Sequence, residues 1–225
     1  MAFSSGSIRR PFGRTGRRAS LIAVVAVAAL LLAWMLRPAP KLGAAPVRIG
    51  SGGAGTAPEI GFPIAGPGRL TRSFGDPRPG GRSHAGGDIM AAKGVPVVAV
   101  MEGEVVWLRG RGGGECCSLG LRHAGGWGSR YLHLDNDRPG TDDGAGHGIA
   151  PGLALGSRVA AGDLIGWVGD SGNAEHTAPH LHFELRHPDG HAVDPFPALV
   201  RAALRDPRAN AGVRLPAFPA GALAR

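Results

Sequence analysis

The alternation His180-Leu181-His182-Phe183-Glu184-Leu185 constrains this chain more than any other stretch. Successive side chains of a strand point to opposite faces. Period-two alternation therefore puts His180, His182 and Glu184 on one face and Leu181, Phe183 and Leu185 on the other. The apolar face has to be buried, which commits the strand to a sheet packed on a core. The polar face then carries two imidazoles only about 7 Å apart at the backbone. Both rings can ligate one metal, or one can ligate while the other works on a substrate. Upstream, His84-Ala85-Gly86-Gly87-Asp88 adds a third imidazole and a carboxylate. Alone, that stretch reads as a turn with solvated side chains; the two motifs in one chain point to a metal. A catalytic zinc takes three protein ligands of these types and keeps a position open for water, and histidines are left over for proton transfer.

The surroundings of this strand are β-like. Segments 95–100, 103–108, 119–123, 130–134, 158–168 and 180–186 are short, β-branched or alternating, and separated by glycine. With 39 glycines, 19 prolines and 5% aromatic residues, the composition favours turns and strands over a helical bundle. The fold expected is all-β, a mostly antiparallel β-sandwich or half-barrel with an open groove. One short helix is expected at 197–205. The stretch 135–156 is long, polar and rich in Gly, Asp and Pro, and reads as a rim or lid over a site, because long loops in compact domains are usually functional or mobile.

The formal charge of +8 suggests nucleic acid until the charge is located. Arg9, Arg10, Arg14, Arg17 and Arg18 precede residue 37 with no acidic residue among them, leaving 20 basic residues against 17 acidic in the rest. Nucleic acid is therefore not an expected partner. The five arginines lead directly into an uncharged apolar run, 19–36. Its length of roughly 27 Å as a helix approaches the thickness of a bilayer core. Arginines on its N-terminal side stay in the cytoplasm, which sends the chain beyond residue 37 across the membrane. The division expected is a basic cytoplasmic segment 1–18, a single transmembrane anchor 19–36, a Pro/Gly/Ala-rich linker 37–62, a domain 63–200, and a short helix and disordered tail over 201–225. A cleaved signal peptide, with Ala44-Ala45-Pro46 as small residues nearby, is the alternative. The first leaves the domain on the cell membrane facing outward, the second secretes it. Cys116 and Cys117 are the only cysteines; adjacent cysteines bond only with difficulty, so they read as two small residues at a strand edge.

The ordered motifs resemble those of the lysostaphin/LytM-type zinc endopeptidases of bacterial cell walls, which have the duplicated hybrid motif fold. The matching pieces run Ser73-Phe74-Gly75, then His84 to Ile89, Gly94-Val95-Pro96-Val97-Val98-Ala99 and Gly103-Glu104-Val105-Val106. Tyr131-Leu132-His133-Leu134, Val159 to Gly169 and Pro179 to Glu184 complete the series in the same order. The resemblance implies that His84, Asp88 and His182 are zinc ligands and that His133 and His180 are catalytic. It implies Zn2+ as cofactor and peptidoglycan peptides as substrate, with hydrolysis of stems or cross-bridges. The alternative within the same fold is a catalytically silent module that binds the wall or regulates another wall hydrolase. No His-Glu-x-x-His helix occurs, so histidine has to take the base's role.

Three departures bear on groove shape: Gly114 to Leu119 where a Gly-Asn pair is usual, a longer loop after His133, and Gly87 where an aliphatic residue is usual. Glu184 faces the metal side, where it could orient a ligand or stand as a solvated carboxylate. His147 and His176 are candidates for lining the groove, and His123, His187 and His191 sit in turn-like contexts. A biotinyl- or lipoyl-type carrier, whose strands are similar to 103–106 and 159–165, needs a lysine at a hairpin tip. Past the apolar run only Lys41 and Lys93 remain, neither in such a setting.

Overall fold

A computed structural model describes residues 57–110, 116–205 and 212–216. The basic N-terminus, the apolar run 19–36, most of the linker and most of the tail lie outside the described residues. Among the described residues, no helix is long and apolar enough to cross a membrane.

The domain is β-rich with one α-helix among the described residues. In chain order the strands are β1 (Gly68–Leu70), β2 (Pro77–Arg78), β3 (Arg82–Ser83), β4 (Gly87–Met90), β5 (Pro96–Val98), β6 (Gly103–Arg109) and β7 (Ser118–Arg122). They continue as β8 (Gly128–Leu132), β9 (Arg158–Val159), β10 (Leu164–Trp167), β11 (His180–Arg186), β12 (Ala192–Val193) and β13 (Val213–Arg214). Nine of them form one sheet in the order β13-β1-β4-β11-β8-β7-β6-β9, with β12 paired to β11; β5 and β10 form a second sheet, and β2 and β3 a hairpin. All of these pairings are antiparallel except β1 with β13. Val97 and Ile165 of the small sheet share one apolar core with Leu181, Phe183 and Leu185 of the large one, so the two sheets pack face to face. Ile60 and Phe62 belong to the same core.

The strand β11 lies in the middle of the large sheet, between β4 and β8. Leu181, Phe183 and Leu185 are fully buried, each contributing about 1.5–3 kcal/mol of apolar burial. That anchoring makes the opposite face of β11 a rigid platform. The helix α1 (Phe196–Arg205) begins where Asp194 Oδ1 accepts the Phe196 N–H at 2.9 Å, with Pro197 in its first turn, where a missing N–H costs nothing. It buries Leu199 and Val200 in the core. At its far end Arg205 donates to the Ile60 carbonyl at 2.7 Å and pairs with Glu59 at 3.0 Å.

Four expectations change. The segment 158–168 is two strands, because residues 160–163 form a turn with Gly162 at φ 83°. The tail contributes β13, which extends the sheet edge beside β1. Cys116 and Cys117 are bonded to each other, with Cys117 buried and its N–H donated to Ser171 Oγ at 2.6 Å. The loop 135–156 is pinned rather than loose, because one lysine gathers two of its acidic residues, Asp137 and Asp142, together with Asp170. Lys93 Nζ lies 2.7 Å from Asp137, 2.5 Å from Asp142 and 2.9 Å from Asp170. Burial works against the Lys93 charge, but the three carboxylates outweigh it and raise its pKa well above the usual lysine value. The side chains of Asp137 and Asp170 are only 1% and 7% exposed. Lys93→Met would strand both as buried anions, and urea denaturation is expected to show a loss of roughly 3 kcal/mol. An unchanged midpoint would mean that this ion cluster does not hold the loop.

Candidate active site

The site forms where the His84–Asp88 turn meets β11. Residues Asp88 and His182 are direct cross-strand partners in the β4–β11 register, and His84 sits four residues before Asp88 on the connection entering β4. His84 Nε2 is 2.7 Å from His182 Nδ1, and Asp88 Oδ1 is 3.1 Å from each. The turn can approach β11 this closely only because residue 86 is glycine. A Cβ there would lie 2.4 Å from the Phe183 carbonyl oxygen and 2.8 Å from His182 Nε2.

Outer partners hold the far nitrogen of each ring. A carbonyl or carboxylate oxygen can only accept, so His84 donates Nδ1–H to the Ser73 carbonyl at 2.7 Å, and His182 donates Nε2–H to Glu184 Oε1 at 3.3 Å. The remaining nitrogens, His84 Nε2 and His182 Nδ1, face each other and Asp88 Oδ1, where a cation can take the place of the protons that bind them together. Three such atoms attract a cation at their centre. Their spacing suits one, since tetrahedral zinc ligands at 2.0–2.1 Å stand about 3.3 Å apart. The same demand appears in the titration of the group. Burial opposes a charge on His182, yet Asp88 and Glu184 raise its pKa. For Asp88, burial alone would raise the pKa, but hydrogen bonds and charge from His182 and His84 hold it far below the carboxylate range. Its other oxygen, Oδ2, accepts from Arg78 Nη2 at 3.0 Å. Glu184, whose Oε2 is held by Arg186 at 2.6 and 2.8 Å, contacts His182 from behind at 3.3 Å, the kind of outer partner common behind histidines that ligate metals.

Two more histidines adjoin this triangle. His133 comes just after the end of β8 with φ 60°, a left-handed backbone that is uncommon outside glycine and recurs at functional sites. It donates Nδ1–H to the Ser171 carbonyl at 2.8 Å, which leaves Nε2 as a lone pair. Burial, with the charges of His180 and His182 adding to it, lowers its pKa to about 4. His180 donates Nδ1–H to the Ala178 carbonyl at 2.8 Å. The ring centroid of His133 lies 5.0 Å from that of His180 and 5.8 Å from that of His182. All five residues singled out from the sequence, His84, Asp88, His133, His180 and His182, thus line one open cavity of about 770 Å³. Its other walls are the β2–β3 hairpin and residues 173–178; none of residues 135–156 lines it, nor does His176. Sequence reasoning missed Arg78, whose Gly- and Pro-rich sequence context is that of many surface arginines, and the carbonyls of Ser73 and Ser171, which have no sequence signature. His123 is structural. Its ring links the Glu102 carbonyl to Ser129 Oγ, each at 2.7 Å, and Ser129 donates to Tyr131.

A His-Asp-His group that could hold a cation, with two further imidazoles beside it in one open groove, is the arrangement of a metal-dependent hydrolase site. The comparisons narrow it. The profile of Peptidase family M23 matches residues 82–195, and the chain belongs to that family. It is 37% identical over 114 residues to the DD-carboxypeptidase/endopeptidase Mpg of Neisseria meningitidis, a match covering 51% of this chain and 22% of that protein. It is 33% identical over 132 residues to the glycyl-glycine endopeptidase ALE-1 of Staphylococcus capitis, covering 54% of this chain and 30% of that protein. An L-Ala–D-Glu endopeptidase of Bacillus subtilis is 33% identical over 138 residues, covering 57% and 36%. The match thus spans only about a fifth to a third of the length of these relatives. Among solved structures, the lysostaphin catalytic domain of Staphylococcus simulans superposes with a TM-score of 0.46 at 29% identity, covering 58% of this chain and 91% of that one. The departure at Gly87 has a local cause: a Cβ there would meet Pro195 at 3.3 Å and Leu199 at 3.9 Å, so α1 and its approach fill the space an aliphatic side chain would take.

Proposed function

We propose that this chain is a zinc-dependent endopeptidase that hydrolyses the peptide stems or cross-bridges of bacterial peptidoglycan. The observation that carries this reading is the convergence of His84 Nε2, His182 Nδ1 and Asp88 Oδ1 within 3.1 Å of one another, while outer partners hold the far nitrogen of each ring. His84, Asp88 and His182 would hold the ion. Zinc there supplies Lewis acidity for the scissile carbonyl and acidifies water toward neutral pH. His133, neutral over the working range, accepts a proton at Nε2, while Ser171 holds its ring in place. His180, with Nδ1–H committed to Ala178, serves the same edge of the substrate at Nε2. Between them they take the proton from water and return it to the leaving nitrogen, or hydrogen-bond the developing oxyanion. Arg78, at 3.0 Å from Oδ2, holds the Asp88 carboxylate aimed at the two imidazoles.

The relatives named for endopeptidase activity support the substrate class. The basic lead and apolar run of the sequence support a domain held at the outer face of the cell membrane. The first test is digestion of purified peptidoglycan, with fragments read by mass spectrometry. Cuts within the peptides that stop on chelation and resume with Zn2+ are the expected result. Intact polymer from folded, zinc-loaded protein would instead favour the silent wall-binding module.

A further inference from the structure

At the other end of β11 the chain turns through His187-Pro188-Asp189-Gly190-His191 into β12. The turn closes with the His187 N–H donated to the His191 carbonyl at 3.0 Å and the Gly190 N–H donated to the His187 carbonyl at 2.8 Å. Gly190 supplies the left-handed backbone, φ 94°, that closing the turn requires. This backbone puts the first and last residues side by side, and their imidazoles stack at 4.8 Å between centroids with planes 24° apart. Asp189 projects between them. Its Oδ2 is 3.1 Å from His187 Nδ1 and its Oδ1 contacts His191 Nδ1, so three ligand atoms lie within 4.8 Å of one another. The turn is braced from outside. Trp127 packs edge-on against His187 at 5.2 Å, and Pro188 lies over Gly126, whose absent Cβ would come within 3.1 Å of it. The nearest cation, Arg186, donates to the Gly190 carbonyl at 3.0 Å, but Glu184 neutralises it through two bonds of 2.6 and 2.8 Å.

We propose that His187, Asp189 and His191 form a second metal site, on the surface, for a divalent transition-metal cation of the Zn2+, Ni2+ and Cu2+ type. Two imidazoles with a single carboxylate suit such ions, whereas Ca2+ and Mg2+ call for oxygen-rich shells. The side chains are 28%, 58% and 58% exposed, so water completes the coordination sphere. Five consecutive residues carry every protein ligand, and the hairpin already sets them on one side, so binding requires only side-chain rotation. Cu2+ is expected to bind tightest in the series.

The site stands apart from the groove and does not rest on the peptidase reading. The test uses untagged full-length protein stripped with chelator and titrated with Cu2+ alone, with bound metal counted by mass spectrometry. His187→Ala/His191→Ala is expected to bind one equivalent fewer than the parent, whatever the groove itself holds, and to leave peptidoglycan cleavage unchanged. In the parent, Cu2+ at this site quenches Trp127 fluorescence. Trp127→Phe removes that quenching without changing the count, and electron paramagnetic resonance shows two imidazole nitrogens on the added copper. His191→Gln and Asp189→Asn, checked by circular dichroism, guard against a misfolded hairpin; each should weaken the same copper signal. Equal copper counts in parent and double variant, or a copper spectrum without two nitrogens, would overturn the proposal.

Discussion

His182→Ala is expected to lose metal and activity together. The ring of His182 stands at the centre of the site, 2.7 Å from His84 and 3.1 Å from Asp88, with Glu184 behind it. Removing it takes away one of the three proposed ligands and leaves Asp88 and Glu184 facing an empty space. Losing even an outer partner of a metal ligand weakens binding by about 10- to 100-fold, so loss of the ligand itself should weaken it by more. Zinc content after dialysis is expected to fall to background, and cleavage of peptidoglycan with it. The fold should survive, because Leu181, Phe183 and Leu185 on the opposite face still anchor β11; circular dichroism checks this. A folded His182→Ala protein that retains zinc at the parental level would refute the ligand set. A protein that loses zinc but still cleaves would refute the metal mechanism.

The sequence shows much of this site and hides its assembly. The alternation 180–185 specifies the strand, its buried face and its reactive face without help from the rest of the chain, because side-chain direction in a strand is a local property. The pairing of Asp88 with His182 is a different matter. It depends on the antiparallel register of β4 and β11, 94 residues apart, and no local pattern specifies a partner at that distance. The Ser73 and Ser171 carbonyls, which set the tautomers of His84 and His133, belong to the backbone and have no residue preference to read. The loop 135–156 misleads for a related reason. Its acidic residues look like an exposed, mobile rim until Lys93, more than 40 positions upstream, is seen to bind two of them, Asp137 and Asp142, along with Asp170. Val213 and Arg214 join the sheet beside β1, a pairing that two residues in a Pro/Ala/Arg-rich tail do not advertise. Residues that meet a core face are legible, then, and residues chosen by a distant partner are not.

The fifth residue of the site separates binding from chemistry. His133 touches none of the three ligand atoms through a hydrogen bond; its Nδ1–H goes to Ser171, and its free Nε2 faces the cavity with its pKa lowered to about 4 by burial first and by the neighbouring histidines. The ring therefore stays neutral as pH falls through the ordinary histidine range and gains its proton only near pH 4, so at neutral pH it enters the reaction as an acceptor. Removing a positioned acid–base group usually costs about 10²–10⁴-fold in rate. His133→Ala is therefore expected to keep its zinc and lose cleavage by that factor. Alanine also has to adopt the left-handed backbone that His133 holds at φ 60°, a strain of about 1–2 kcal/mol. His133→Asn, whose side chain tolerates that conformation and retains a donor toward Ser171, removes this ambiguity. Both variants should bind zinc like the parent and cleave slowly. If His133→Asn cleaved as fast as the parent, proton transfer would have to be reassigned to His180 alone. If it lost zinc as well, His133 would belong with the ligands.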